Sequence, residues 1–268
     1  MGNELLVPLK PPGAPDPTPD GRTIRIAAAG DIHITDANSD AVAGAFREVD
    51  DQADLVLLAG DLTTHGEPAQ GELLARAVEG VHTPILAVLG NHDWHVDLAD
   101  ELTPVLEDAG IKVLDKSWTI ETVGDCEVGI VGVKGHVGGF PGSHLPDFGE
   151  PELRSVYARA TEEVDALDAG LRAIASCPFR IVLLHYAPTT ETLIGEPEPI
   201  WAFLGTDRLA PPIVEHSPDL VLHGHAHAGT FEGRVADVPV FNVSVPVMGR
   251  DFWVFELEAA DKLSSSIH

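Results

Sequence analysis

The tightest constraint on this chain is a rhythm in which short, strongly apolar runs each stop at a residue able to bind a cation. Ile24–Ala29 is followed by Asp31 and His33, Leu55–Ala59 by Gly60-Asp61, and Ile85–Leu89 by Gly90-Asn91. Later, Arg180–Leu184 is followed by His185, and Leu220–Leu222 by His223-Gly224-His225-Ala226-His227. Apolar runs of this length, bounded by Gly and Asp, predict buried strands. Helical stretches separate the first three, at about Asp40–Gln52 and Ala69–Val81. Strands alternating with helices imply βαβ units and a mainly parallel sheet. Their right-handed crossovers bring the strand ends to one edge, and open α/β sheets bind ligands outside those ends.

The remainder predicts a second layer. A helix at about Val96–Ala109 precedes three strand-like segments, Lys112–Leu114, Trp118–Val123 and Glu127–Val133, expected in a second, more antiparallel sheet. Residues 134–150 are rich in Gly and Pro without periodicity and read as a long loop. A helix over about Pro151–Ser176 follows, and strands at about Val238–Val243 and Phe252–Leu257 close the domain. Six prolines within residues 1–22 exclude a regular helix or sheet core there and predict an extended arm, either loose or laid along the surface of the domain. The expected organisation is this arm, one domain over residues 23–260, and a short tail over 261–268.

Composition narrows the partners. Sixteen Lys and Arg stand against 43 Asp and Glu, a formal charge of -27. Affinity for nucleic acid rests on cations that neutralise phosphates, so neither a polynucleotide nor an anionic membrane surface is the expected partner. Two cysteines are too few for a disulfide framework and read as reduced, buried thiols. No apolar run approaches the roughly 20 residues of a membrane span. The start lacks the long apolar core of a signal peptide, and a cytoplasmic location is expected.

Taken singly, the run-ending residues are ordinary. Asp61 and Asn91 are common helix caps, and Asp31 and His33 are common loop residues. Together they place metal-competent side chains after five separate strands whose ends a parallel topology gathers. Oxygen and imidazole donors without thiolate suit Mn, Fe, Zn or similar divalent ions.

The series Asp31-x-His33, Gly60-Asp61, Gly90-Asn91-His92-Asp93, His185 and Gly224-His225-x-His227 resembles, complete and in order, the calcineurin-like metallophosphoesterase pattern. The resemblance implies an α/β fold: a four-layer αββα sandwich of two mixed sheets, with a dinuclear metal site at the strand ends. It implies two divalent ions (Mn, Fe, Zn or a mixed pair), the first held by Asp31, His33 and His227. Asn91, His185 and His225 would hold the second, with Asp61 bridging. The implied reaction is in-line attack on phosphorus by a hydroxide held between the ions. By the same resemblance His92 is not a ligand but stands over the phosphate and gives a proton to the leaving oxygen, a role suited to imidazole.

The expected substrate is a small phosphoester. After Asp61 comes Leu-Thr-Thr-His and after His92 comes Asp-Trp-His, without the arginines of the protein-phosphatase branch. The pattern looks more like the bacterial cyclic-nucleotide and glycerophosphodiester phosphodiesterases. A diester carries one negative charge and needs no arginine clamp. Phosphomonoester or nucleotide hydrolysis is the alternative, and a non-catalytic metal-binding scaffold is the alternative of another class. Substrate-binding candidates are Asn91, His92, His65 and Arg250, with His95 at the same rim. Phe140, Tyr186, Trp201, Phe203 and Met248 either face the leaving group or pack the rim loops. Asp93 either orients a histidine or caps a helix. His82, His136, His144, His216 and His268 read as surface or loop residues, and His223 as an ordinary half-buried histidine.

Overall fold

The computed structural model describes residues 7–8 and 23–258. The first sheet is built from β1 (Val7–Pro8), β2 (Thr23–Ala29), β3 (Leu55–Ala59), β4 (Ile85–Val88), β5 (Ile111–Val113) and β12 (Trp253–Glu258), in the order β1-β12-β2-β3-β4-β5. The second contains β6 (Ser117–Val123), β7 (Cys126–Gly132), β8 (Phe179–Leu183), β9 (Leu220–His223), β10 (Glu232–Val235) and β11 (Val238–Asn242), in the order β10-β11-β9-β8-β7-β6. Apart from Val7–Pro8, the expected arm lies outside the described residues, as does the tail.

Strand periodicity explains the layers. Successive side chains on β3 point to opposite faces. Leu55, Leu57 and Ala59 meet Ile130, Ile181, Leu183 and Leu222 in the core between the sheets. Val56 and Leu58 face outward onto Phe46, Leu74 and Leu102. Those three come from α1 (Ser39–Asp50), α2 (Pro68–Ala77) and α3 (Ala99–Asp108), which cover the first sheet. On the far side Val131, Val182 and Val221 pack against Leu167 and Leu171 of α4 (Pro151–Ala173) and Ile213 of α6 (Ala210–His216). The result is the four-layer αββα sandwich.

Two features differ from expectation. β5 pairs in parallel with β4 and belongs to the first sheet, not the second. The second sheet is parallel through β11, β9, β8 and β7, with antiparallel partners only at its edges. The parallel centre follows from connectivity, because α4 links β7 to β8 as a crossover and α6 links β8 to β9. The short helices α5 (Trp201–Leu204) and α7 (Val245–Met248) complete the rim.

Both sheets deliver their ligand-bearing ends to one edge, where they are stitched together. Gly30 N–H donates to the Val243 carbonyl at 2.7 Å, and Val245 N–H donates to the Gly30 carbonyl at 3.0 Å.

Candidate metal centre

The structure brings Asp31, His33, Asp61 and His227 together, with one potential ligand atom from each lying within 4.8 Å of the others. Asp61, His185 and His225 form a second group by the same measure, so Asp61 belongs to both. Asp31, His33 and Asp61 follow strands of the first sheet; His185, His225 and His227 follow strands of the second.

The local backbone is bent to this end. Asp31, His33, Asp61 and His225 have φ of 59°, 44°, 50° and 70°, the left-handed region that costs side chains of the L configuration energy. Four non-glycine residues in this state at one edge mark a site whose surroundings over-determine it. Two glycines make room. A Cβ on Gly90 would overlap the Asp61 carboxylate. One on Gly224 would stand 2.5 Å from Asp31 Oδ2 and 3.0 Å from the Ala59 carbonyl. Between His225 and His227, Ala226 turns the other way, into an apolar cluster with Phe140, Ala187, Leu193 and Leu204. That anchor holds both imidazoles toward the edge.

Three of the four imidazoles have one ring nitrogen committed to a backbone carbonyl, which leaves the other for a ligand, while His227 Nε2 meets Asp31 Oδ1 at 2.9 Å. His185 Nδ1 donates to Ala59 at 2.8 Å, His225 Nε2 to Phe203 at 3.1 Å and His33 Nδ1 to Thr63 at 3.3 Å. His185 Nε2 lies 2.8 Å from Asn91 Oδ1 and 3.4 Å from Asp61 Oδ1. Imidazole, amide and carboxylate atoms converging in one place offer a cation oxygen and nitrogen donors without thiolate. The donor set therefore fits divalent metal ions.

The charges agree. Asp31 and Asp61 are 3% and 1% exposed, and their ion-pair contacts among the described residues are to histidines alone. Burial alone would raise the Asp31 carboxyl, but the hydrogen bond from His227, the charges of His185 and His227, and the His225 N–H hold it down at about 2. Burial, with the charge of His185, pushes the His225 imidazole down to about 3. A carboxylate kept ionised beside an imidazole kept neutral is the form in which both ligate metal.

His92 stands at the same edge but in neither ligand group. Its backbone N–H donates to Asp61 Oδ1 at 2.8 Å and its Nδ1 to the Thr64 carbonyl at 2.8 Å. Nε2 is left 4.0 Å from Asp61 Oδ2, and the ring lies edge-on to His33 at 4.7 Å.

Asp93 neither orients a histidine nor caps a helix. Fully buried, it accepts hydrogen bonds from the N–H groups of Leu62, Thr63 and Gly90 and from the Thr63 hydroxyl. It thus locks the Asp61 loop to the Asn91 loop. His223 is fully rather than half buried, its nitrogens meeting the Gly224 carbonyl and the Thr192 hydroxyl, both at 2.8 Å. His82, His144 and His216 each pair with a carboxylate, and His268 lies outside the described residues. His136, read as a surface or loop residue, is half-buried and stacks on Tyr186, whose ring lies 4.5 Å from that of His225. Arg250 lies over the Trp253 ring at 4.9 Å. Phe140 is buried and packs the loops with Trp201, whereas Phe203 is 58% exposed. Met248 is half-buried against both the inter-sheet and the outer core.

Residues 24–229 match the calcineurin-like phosphoesterases, and the chain belongs to that family. It is a metallophosphoesterase, a hydrolase by class, with clusters of candidate metal ligands. Among curated proteins it is 27% identical over 233 residues to a probable cyclic nucleotide phosphodiesterase of Synechococcus sp., covering 80% of this chain and 78% of that one. Among solved structures it is similar to the phosphopantetheinyl hydrolase of Mycobacterium tuberculosis (TM-score 0.65, 15% identity, 90% of this chain and 98% of that one). It is also similar to a putative 5'-nucleotidase of Staphylococcus aureus (TM-score 0.55, 18% identity, 92% of this chain and 56% of that one). The two structural likenesses establish the fold alone. No helix among the described residues is long and apolar enough to cross a membrane.

Proposed function

We propose that this protein hydrolyses small phosphodiesters, linear or cyclic, at a centre for two divalent ions. Asp31, His33 and His227 would hold the first ion, Asn91, His185 and His225 the second, and Asp61 both. The observation that carries this reading is the convergence of two groups of oxygen and imidazole side chains at one sheet edge, with Asp61 belonging to both. Ions such as Mn, Fe or Zn, when bound, would lower the pKa of a water and neutralise charge on the phosphorus oxygens.

The chain's own residues supply orientation and the proton. His92, fixed at Nδ1 by the Thr64 carbonyl, presents Nε2 as the proton donor to the leaving oxygen. Asp61, fixed by the His92 N–H, is oriented toward both ligand groups. Diester preference is supported by the absence of arginine from the loops after Asp61 and His92. The similarity to a probable cyclic nucleotide phosphodiesterase supports it further.

The test is elemental analysis alongside hydrolysis of bis-(p-nitrophenyl) phosphate and p-nitrophenyl phosphate, with and without added manganese. Near two metals per chain and faster diester cleavage are expected. Faster monoester cleavage would favour the phosphatase or nucleotidase reading, and metal without activity a binding scaffold. His92→Ala should keep its metal and lose about 10²–10⁴-fold in kcat, the usual worth of a positioned acid. Asp61→Ala should lose metal.

A further inference from the structure

We infer that the substrate carries a second acidic group, a carboxylate or a further phosphate, on its leaving-group side, bound by His95 and His65. This rests on the phosphodiesterase reading, which puts the leaving group on the His92 side of the metal centre.

The imidazoles form a line leading out of the site. From His33 the next ring is His92 at 4.7 Å, then His95 at 6.0 Å and His65 at 5.6 Å, each pair edge to face. His92 is half-buried, while His95 and His65 are exposed. Their placement is built into the backbone. His92–Trp94 is a 3₁₀ turn in which His95 N–H donates to the His92 carbonyl at 3.1 Å. Three residues per turn set His92 and His95 on one face.

His65 comes from the other loop, and that loop is locked to the first. The carbonyl of Thr64, its neighbour, accepts a hydrogen bond from His92 Nδ1, and His65 N–H donates to Gln70 Oε1 at 2.8 Å. Gly66 follows at φ 79°, packed so closely on the Asp93 backbone that a Cβ would collide with it. The two outer histidines are thus held relative to the proton donor by main-chain contacts.

Chemistry narrows the ligand. Each imidazole offers N–H donors and takes positive charge, in a chain whose formal charge is -27. Among the described residues, Lys134 lies over the Tyr186 ring and Arg250 over that of Trp253. An acid on the leaving group, repelled by the carboxylates of the surface, meets at this rim a pair of exposed imidazole N–H donors.

The test is calorimetric binding of phosphate and of phosphoglycolate, a phosphate ester bearing a carboxylate, to the metal-loaded protein. The wild type should bind phosphoglycolate more tightly. His65→Ala/His95→Ala should weaken phosphoglycolate roughly tenfold, as expected for lost hydrogen bonds to a charged group, and leave phosphate unchanged. His65→Gln/His95→Gln, which keeps N–H donors, should restore part of the difference. Equal affinity for the two ligands in the wild type, or an equal loss for both in the Ala variant, would overturn the inference. Bis-(p-nitrophenyl) phosphate hydrolysis is followed in parallel. Inactivity there with the binding difference intact would sink the phosphodiesterase reading and leave the acid-binding rim standing.

Discussion

Asp93 takes four hydrogen bonds from two loops at once, and none of its partners is an Asp, Asn or His of the ligand set. Desolvation by burial and the nearby Asp61 charge push its carboxyl up, and only the donors around it offset that cost. Asp93→Ala strands those donors in a dry interior at about 1–3 kcal/mol each, so a loss of about 3 kcal/mol or more is expected. Urea unfolding of the metal-free protein measures it directly. Metal affinity should fall too, since the Asp61 and Asn91 loops lose their tie. The sequence marked Asp93 only as a neighbour of His92, because three of its four partners lie about 30 residues away in the chain. By contrast, the expectation at Asp31, His33, Asp61, Asn91, His185, His225 and His227 came from five apolar runs, each followed by one or two of them. His136 and Tyr186 were harder, since a loop histidine carries no periodic signal and only the fold stacks it on that ring.

Elements with a strong apolar pattern follow the sequence closely. β3, β4 and β8 are uniform runs whose ends could be read to within a residue, and buried βαβ strands tolerate little else. β5 has three residues, too few to state which sheet it joins. β10 is Glu-Gly-Arg-Val, an alternation with a glycine on its inner face, and passes for a loop. α6 opens on Ala-Pro-Pro, which reads as a breaker although proline is tolerated in a first turn.

Two predictions belong to this level. Gly224 lets the turn after β9 approach β2, and Gly224→Ala would drive a methyl into Asp31. The fold should survive while metal affinity drops about 10–100-fold, as when a ligand's support is removed. A competition titration against a chelator reads this out. The second concerns Asp50, which ends α1 and accepts from the Thr83 and His82 N–H groups at 2.7 and 2.8 Å. Its partial burial raises the carboxyl, but those bonds outweigh it and hold the group at about 2. A depressed carboxyl contributes stability above its unfolded value near 3.8 and loses it as pH falls toward 2. Asp50→Asn should therefore flatten the acid limb of the stability curve between about pH 4 and pH 2, as followed by thermal unfolding.

On the scale of the whole molecule, a charge of -27 and a metal centre pull in opposite directions. Surface self-repulsion favours expansion, and the buried carboxylates at the strand ends add to it. The centre draws its ligands from both sheets, so each ion would bind a composite of the two layers that the unfolded chain does not present. Folding and loading are then one linked equilibrium. At a hundredfold excess over Kd, one ion adds about 2.7 kcal/mol, roughly 5–10 °C in Tm for a domain of this size. Scanning calorimetry across a series of buffered free-metal concentrations should show Tm climbing with the logarithm of the metal. A Tm indifferent to metal would mean that the folded chain binds the ions no better than the unfolded one.

That the ligand groups straddle the sandwich has a further consequence. Riveted across its two halves by ions bound as proposed, the protein would report its own occupancy, and its lifetime in the presence of protease would follow the supply of ion. Scarcity would not merely idle such an enzyme but mark it for removal, so that its abundance tracks how much of it can work.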